Sequence, residues 1–285
     1  MDFDKRLTVV QDNRITQTAH SEKQSTSLTT YQKRFLLLLI SHIQKDDTDF
    51  KIEKISFSDY MSIMNIKNGG NTEKKIRDSV MDLLNKNFLV NETPQKTVAC
   101  SWIDISKTAI DWENKTIVTM LSPCLKEYYI GLSSRFTAFQ LGFTIGFRSK
   151  YSFRLYEYLH SYLNQGKITI DKDKALEILC DNKYNNVTDF HRFVLKRAIE
   201  EISKYSDIVV RCNRIKTRGV VSHFFFIMNK KSQDELERIR DSWTQRKSIY
   251  DEIADEISKI VDSDDIEIEK NEDAVSVNTY DTEEL

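Results

Sequence analysis

Apolar residues recur at helical spacing in two separate blocks of the chain, and each block gives way to β-branched and aromatic stretches. In the first block, Ser27-Leu28-Thr29-Thr30 supplies N-cap side chains for a helix from Tyr31 to Gln44. That helix is apolar almost all round, so it should be buried on most sides. Phe50 to Phe57 alternates as a short strand. Ser58 is placed to cap a helix with Tyr60, Met61 and Met64 on its inner face. Lys67-Asn68-Gly69-Gly70-Asn71 is a turn signal. Beyond it, Ile76, Val80, Leu83 and Leu84 predict an amphipathic helix over Thr72 to Lys86. Strand signals follow at Phe88 to Asn91, Val98 to Ile105 and Ile110 to Leu121, the last with a hairpin turn at Glu113-Asn114-Lys115.

A connecting region comes next. Pro123 opens a short helix from Cys124 to Leu132, and Phe136 to Phe147 is expected to form another. Ser149 to Asn164 is a helix with Phe153, Tyr156, Leu159, His160 and Leu163 on one side. Then the first order of elements returns. Lys167 to Ile170 is strand-like, and Asp171 caps a helix carrying Ala175, Leu176, Ile178 and Leu179. The segment Asp181 to Asn186 is a turn. Asp189 caps a helix to Tyr205 with Leu195, Ala198, Ile199 and Ile202 inside. Ile208 to Cys212 and Val220 to Met228 form a ribbon joined by Arg214 to Gly219.

Helix, strand, helix, turn, helix and ribbon, read twice, predict an α+β chain of two winged helix-turn-helix domains in tandem. The expected division is a flexible lead-in at 1–27, a first winged helix at 28–132 and a second, with its leading connecting helices, at 133–230. An amphipathic helix at 231–261 and a disordered acidic tail at 262–285 complete it. From Leu236 to Ile260 the helix shows heptad spacing broken at Arg246, which permits either a coiled coil or a single helix packed on its own domain.

Composition changes this picture in one respect. The 285 residues carry a net charge of −2, which is unexpected for a partner of polyanions. Residues 262–285 hold ten acidic residues and one lysine, a local −9, so residues 1–261 carry +7. The most apolar run, Phe35 to Ile40, is too short to span a bilayer, and the charged start, Met1 to Gln11, has no secretory pattern. A cytoplasmic protein with no membrane partner is expected. Cys100, Cys124, Cys180 and Cys212 are scattered, without ligand spacing, and are read as free thiols; no metal or other cofactor is expected.

The basic residues concentrate where a winged helix meets DNA. Lys183 to Arg218 holds nine Lys/Arg against four Asp/Glu. On the Asp189–Tyr205 helix, Arg192 and Lys196 stand one turn apart off the apolar stripe, flanked by His191 and Arg197. Arg214, Lys216 and Arg218 follow on the ribbon turn, placed to reach phosphates or a minor groove. In the first half, Asn71, Lys74 and Lys75 crowd the helix start, where they serve either phosphate contact or solubility.

Three segments carry a family resemblance. Phe147-Arg148-Ser149-Lys150-Tyr151-Ser152-Phe153-Arg154-Leu155-Tyr156-Glu157 resembles a signature of plasmid replication initiator (Rep) proteins of the iteron-binding, two-winged-helix superfamily, RepB type from Gram-positive bacteria. Phe190 to Ile202 resembles that family's second-domain recognition helix, and Leu28 to Arg34 its first-helix start. The resemblance covers roughly residues 5–230. It implies binding to double-stranded DNA at directly repeated iterons, duplex opening, recruitment of host replication proteins such as a helicase or initiator, a monomer–homodimer equilibrium, copy control and autoregulation. It further implies that His191, Arg192 and Lys196 contact DNA in the second domain, and Lys74 and Lys75 in the first.

Enzyme chemistry finds no support in the motifs. His20, His42, His160, His191 and His223 are never two apart, as a rolling-circle nicking site needs. Gly166-Lys167 is the single Gly-Lys pair, and Ser161 stands where a P-loop needs its first glycine. The chain is therefore expected not to be an enzyme. A transcriptional regulator without origin function, and a winged-helix module that docks proteins, are the alternatives.

Overall fold

Each apolar block closes over a three-stranded antiparallel sheet, and the two sheets share one strand order. The computed structural model describes residues 7–18, 28–66, 69, 71–93, 96–180, 184 and 186–243. The first half runs β1 (Thr8–Asp12), α1 (Asn13–Thr18), α2 (Thr30–Ser41), β2 (Glu53–Ser56), α3 (Phe57–Ile63) and α4 (Thr72–Leu84). It continues through β3 (Asn87–Thr93), β4 (Lys96–Ser101), β5 (Ala109–Asp111), β6 (Thr116–Thr119), α5 (Lys126–Tyr129) and β7 (Phe136–Gln140). The second half has α6 (Lys150–His160), β8 (Lys167–Asp171), α7 (Lys172–Cys180), α8 (Val187–Phe190), α9 (Lys196–Tyr205), β9 (Ile208–Thr217) and β10 (Val220–Lys230), then a last helix over 233–243. The sheets are ordered β2-β6-β5 and β8-β10-β9. In both, the strand that precedes the helix pair lies against the final strand of the ribbon, which is the winged-helix arrangement. The β3–β4 hairpin is a separate two-stranded sheet inserted between α4 and β5.

The chain divides into Met1–Thr244 and Gln245–Leu285. The second unit lies outside the described residues, and with it the expected acidic tail and most of the heptad pattern. Turn residues 67, 68, 70, 181–183 and 185 lie outside them too.

Helix α2 is the central pillar of the first half. Phe35, Leu36, Leu37, Leu38, Leu39 and Ile40 are all buried, as six successive apolar residues demand. Thr29 and Gln32 form a capping box: Gln32 N–H donates to Thr29 Oγ1 (3.2 Å) and Thr29 N–H to Gln32 Oε1 (2.9 Å). Gln32 then reaches α4, donating to Ser79 O and Asp82 Oδ2. Arg34 donates to the carbonyls of Ile145 and Phe147, fastening α2 to the connecting region. Beside it, Lys33 Nζ sits 2.7 Å from Glu157 Oε1 on α6, with both side chains largely shielded from water.

The last helix returns to the segment after β7. The Trp243 ring lies so close to Gly142 that a Cβ there would stand 2.4 Å from it. Trp243 also meets Phe143 edge-on at 5.2 Å, and Arg240 Nε donates to Gln140 Oε1.

Several local expectations give way to longer-range contacts. Residues 8–18, expected within a flexible lead-in, form β1 and α1. β1 is completed by a partner over a hundred residues away: Val9 pairs with Phe139 and Asp12 with Phe136 in β7. The same pairing makes Phe136–Gln140 a strand, followed by a 3-10 turn at Leu141–Thr144, where a helix was expected. Its burial alternates, with Thr137 and Phe139 inward. The helix expected from Cys124 to Leu132 is a 3-10 turn, Pro123–Leu125, running into the short α5. Ser56, not Ser58, caps α3, accepting from Asp59 N–H at 2.9 Å. Asn186, not Asp189, caps α8, accepting from Thr188 N–H at 2.8 Å.

Candidate nucleic-acid interface

From Asn186 to Tyr205 the chain is one helical run with an extra residue in its middle. α8 passes into a π-helical turn, His191–Leu195, and then into α9. Lys196 N–H bonds His191 O, five residues back. The wider turn advances the helical phase. Phe190, Val194, Leu195, Ala198 and Ile202 all face the core, fully buried. The opposite side presents Arg192, Phe193, Lys196, Arg197 and Glu200 to solvent.

β9 and β10 form a long ribbon. The turn expected to occupy 214–219 shrinks to Arg218-Gly219, with φ of +51° and +82°, and the ladder runs out to Thr217 opposite Val220. Two successive positive φ values are the signature of a type I′ hairpin, which is why glycine follows Arg218. On the inner face Val210, Cys212 and Arg214 stand opposite Met228, Phe226 and Phe224. Arg214 is therefore the first inner-face residue past the core, on the side that packs against the helix run. Burial pushes the Cys212 thiol up to about 12, a rise that Arg214 partly opposes. His191 is held below its ordinary value, first by burial and then by the charges of Arg214 and Lys196. The helix and the wing thus converge on one positive region.

Among the described residues, Arg192, Arg214, Lys216 and Arg218 have no carboxylate within ion-pair distance. Lys196 and Arg197 each have a glutamate one turn on, Glu200 at 4.0 Å and Glu201 at 3.6 Å. The Lys196–Glu200 pair is exposed on both sides, and such pairs are weak and break readily for a better anion. Glu201 is also committed elsewhere. It accepts from the N–H groups of Arg148 and Ser149 and from Ser152 Oγ (2.6 Å), holding the start of α6.

The first half is more nearly neutralised. Asn71 occupies the cap position of α4 but makes no side-chain cap bond, and Lys74 and Lys75 are exposed without an ion pair among the described residues. Lys115 at the β5–β6 tip bonds Glu73 at 2.9 Å, while Arg77 bonds Asp78 and stacks 4.6 Å over Trp112. Asn71, Lys74 and Lys75 therefore form a cluster on α4, while His191, Lys196 and Arg214 meet on the second winged helix.

Phe193 was not expected at this surface. It is 54% exposed, with the Arg192 guanidinium 5.2 Å from its ring centre. Its trace in the sequence is an aromatic out of phase with the apolar stripe, and the π turn that puts it there has no sequence signature.

Two winged helices, one presenting a basic helix and ribbon on which Arg192, Arg214, Lys216 and Arg218 have no ion pair among the described residues, define a DNA-binding protein of the tandem winged-helix class. Residues 8–160 match the family described as Initiator Replication protein, WH1, and residues 173–228 match Initiator Rep protein, WH2. The chain belongs to this family of replication initiators, the plasmid Rep proteins with two winged-helix domains. Among solved structures it is similar to domains 2 and 3 of RctB, in two crystal structures. One has 14% identity and a TM-score of 0.41, covering 72% of this chain and 84% of that one. The other has 15% identity and a TM-score of 0.39, covering 74% and 83%. Among the described residues, no helix is long and apolar enough to cross a membrane.

Proposed function

We propose that this initiator binds directly repeated iterons at a plasmid origin, laying the 187–205 helix run in the major groove and the β9–β10 wing along the flanking backbone. The observation that carries the reading is the set Arg192, Arg214, Lys216 and Arg218, cations without carboxylate partners among the described residues, on one helix and its adjoining ribbon. Paired cations are already neutralised within the fold, whereas exposed unpaired ones supply the counter-charge that DNA phosphates need. Arg192 and Lys196 stand where a recognition helix meets base edges. Asn71, Lys74 and Lys75 give the first winged helix a smaller contact.

On this reading the protein acts in the cytoplasm without catalysis or cofactor. It opens the duplex by binding, recruits a host helicase or initiator, sets plasmid copy number, and exchanges between monomer and homodimer, the dimer repressing its own promoter. The three sequence segments given above support a RepB-type reading, that of Gram-positive bacteria.

A binding selection from a random duplex library, at two salt concentrations with excess competitor, tests the proposal. One enriched motif, found as direct repeats beside the encoding gene, is the expected result. Enrichment of nothing at either salt would overturn it.

A further inference from the structure

The solvent face of the 187–205 run carries one large apolar side chain among its charges. Phe193 is 54% exposed, although burying a phenylalanine is worth about 1.5–3 kcal/mol. The core beneath is already filled: Phe190, Val194 and Leu195 are at most 1% exposed, and Phe190 meets Phe224 edge-on at 5.6 Å. Phe193 is therefore not a core residue pushed outward. The π turn places it beside Arg192, with Lys196 and Arg197 one turn further along the same face.

We infer that Phe193 reads a thymine, by packing its ring against the 5-methyl group in the major groove. This rests on the DNA-reading role proposed above. The thymine methyl is the apolar feature of the major-groove edge, and phenylalanine is among the side chains that meet it. The surroundings select this partner over a protein. Phe193 stands on a helix face with Arg192, Lys196 and Arg197, and Arg192 has no carboxylate partner among the described residues, a cationic setting that suits a polyanion. The Arg192 guanidinium lies 5.2 Å from the ring centre, so a neighbouring guanine or phosphate is within its reach while the ring meets the methyl group.

The test uses the full chain and the motif recovered by selection. Each thymine is replaced in turn by deoxyuridine, which removes one methyl and leaves base pairing intact. At one position of the repeat, the wild-type protein should lose about fourfold in affinity, the factor for one buried methyl. Phe193→Ala should bind thymine and uracil probes equally there, Phe193→Leu should keep part of the preference, and Arg192→Ala should keep all of it. An unchanged Tm for Phe193→Ala establishes that the fold is intact. A motif whose thymines all tolerate uracil, or an undiminished penalty in Phe193→Ala, would overturn the assignment and leave the DNA-reading role standing. Absence of any preferred motif for the wild-type chain would overturn both.

Discussion

Replacing Lys216 and Arg218 by alanine removes two unpartnered cations from the end of the wing. Both positions are exposed and neither contributes to the core, so the fold should survive. If each contacts a phosphate, each contributes about 0.9 to the slope of log affinity against log salt, so the double variant should be shallower by about 1.8. Between about 50 and 200 mM salt, such a slope difference amounts to roughly a twelvefold smaller loss of affinity. Fluorescence anisotropy at four or five salt concentrations, on specific and scrambled duplexes, measures it. Both duplexes should show the same change, because phosphates carry no sequence. Lys167 is the internal control. It pairs with Ile227, at the end of the sheet away from the Arg218-Gly219 turn, and Lys167→Ala should leave the slope unchanged. A double variant with the wild-type slope would show that the wing does not touch the backbone.

Arg192→Ala with Lys196→Ala should reduce discrimination between specific and scrambled duplex by roughly 30-fold or more, since two good base contacts are worth about 1–3 kcal/mol each; competition titration reads this directly, and preserved discrimination would place base reading elsewhere. DNA affinity should rise as pH falls through the histidine range, because phosphate favours the charged imidazole that burial, and then Arg214 and Lys196, disfavour in the free protein. A His191→Gln variant should lose that component of the pH profile. For folding the sign is opposite: His191 binds protons more weakly folded than unfolded, so its contribution is intact above the unfolded value of 6.5 and declines as pH falls below it. Glu157→Ala strands the Lys33 ammonium in the core and should cost about 3–5 kcal/mol by urea denaturation, while Lys33→Met with Glu157→Leu should recover most of it; a loss under about 1 kcal/mol would mean that water reaches the pair.

Where the sequence pattern predicted the structure well, the signal was local and repeated. The apolar run Phe35 to Ile40, the stripe on α4 and the alternation in β10 each follow from a period of 3.6 or 2 within a dozen residues. The strand order of the two sheets follows from the repeated succession of elements. The pairing of β1 with β7 was out of reach, because a five-residue strand beside a polar stretch shows its purpose only next to its distant partner. The caps at Ser56 and Asn186 were missed by two or three residues because several candidate side chains stand in a row. At the interface, the basic residues were legible as charge. The second task of Glu201 was not, since its bonds to Arg148, Ser149 and Ser152 come from the start of a helix about fifty residues earlier.

The contact between Trp243 and Gly142 has a bearing on how the protein is made. The segment from Gln140 to Phe143 leaves the ribosome about a hundred residues before the indole that covers it. At roughly 5–20 residues per second, it waits on the order of 5–20 seconds for that cover. During this interval Gly142 and Phe143 lack the indole that covers them in the finished chain. A nascent chain stalled before position 243 would leave that apolar seam without its cover, a surface suited to capture by a chaperone until synthesis of the last helix closes it.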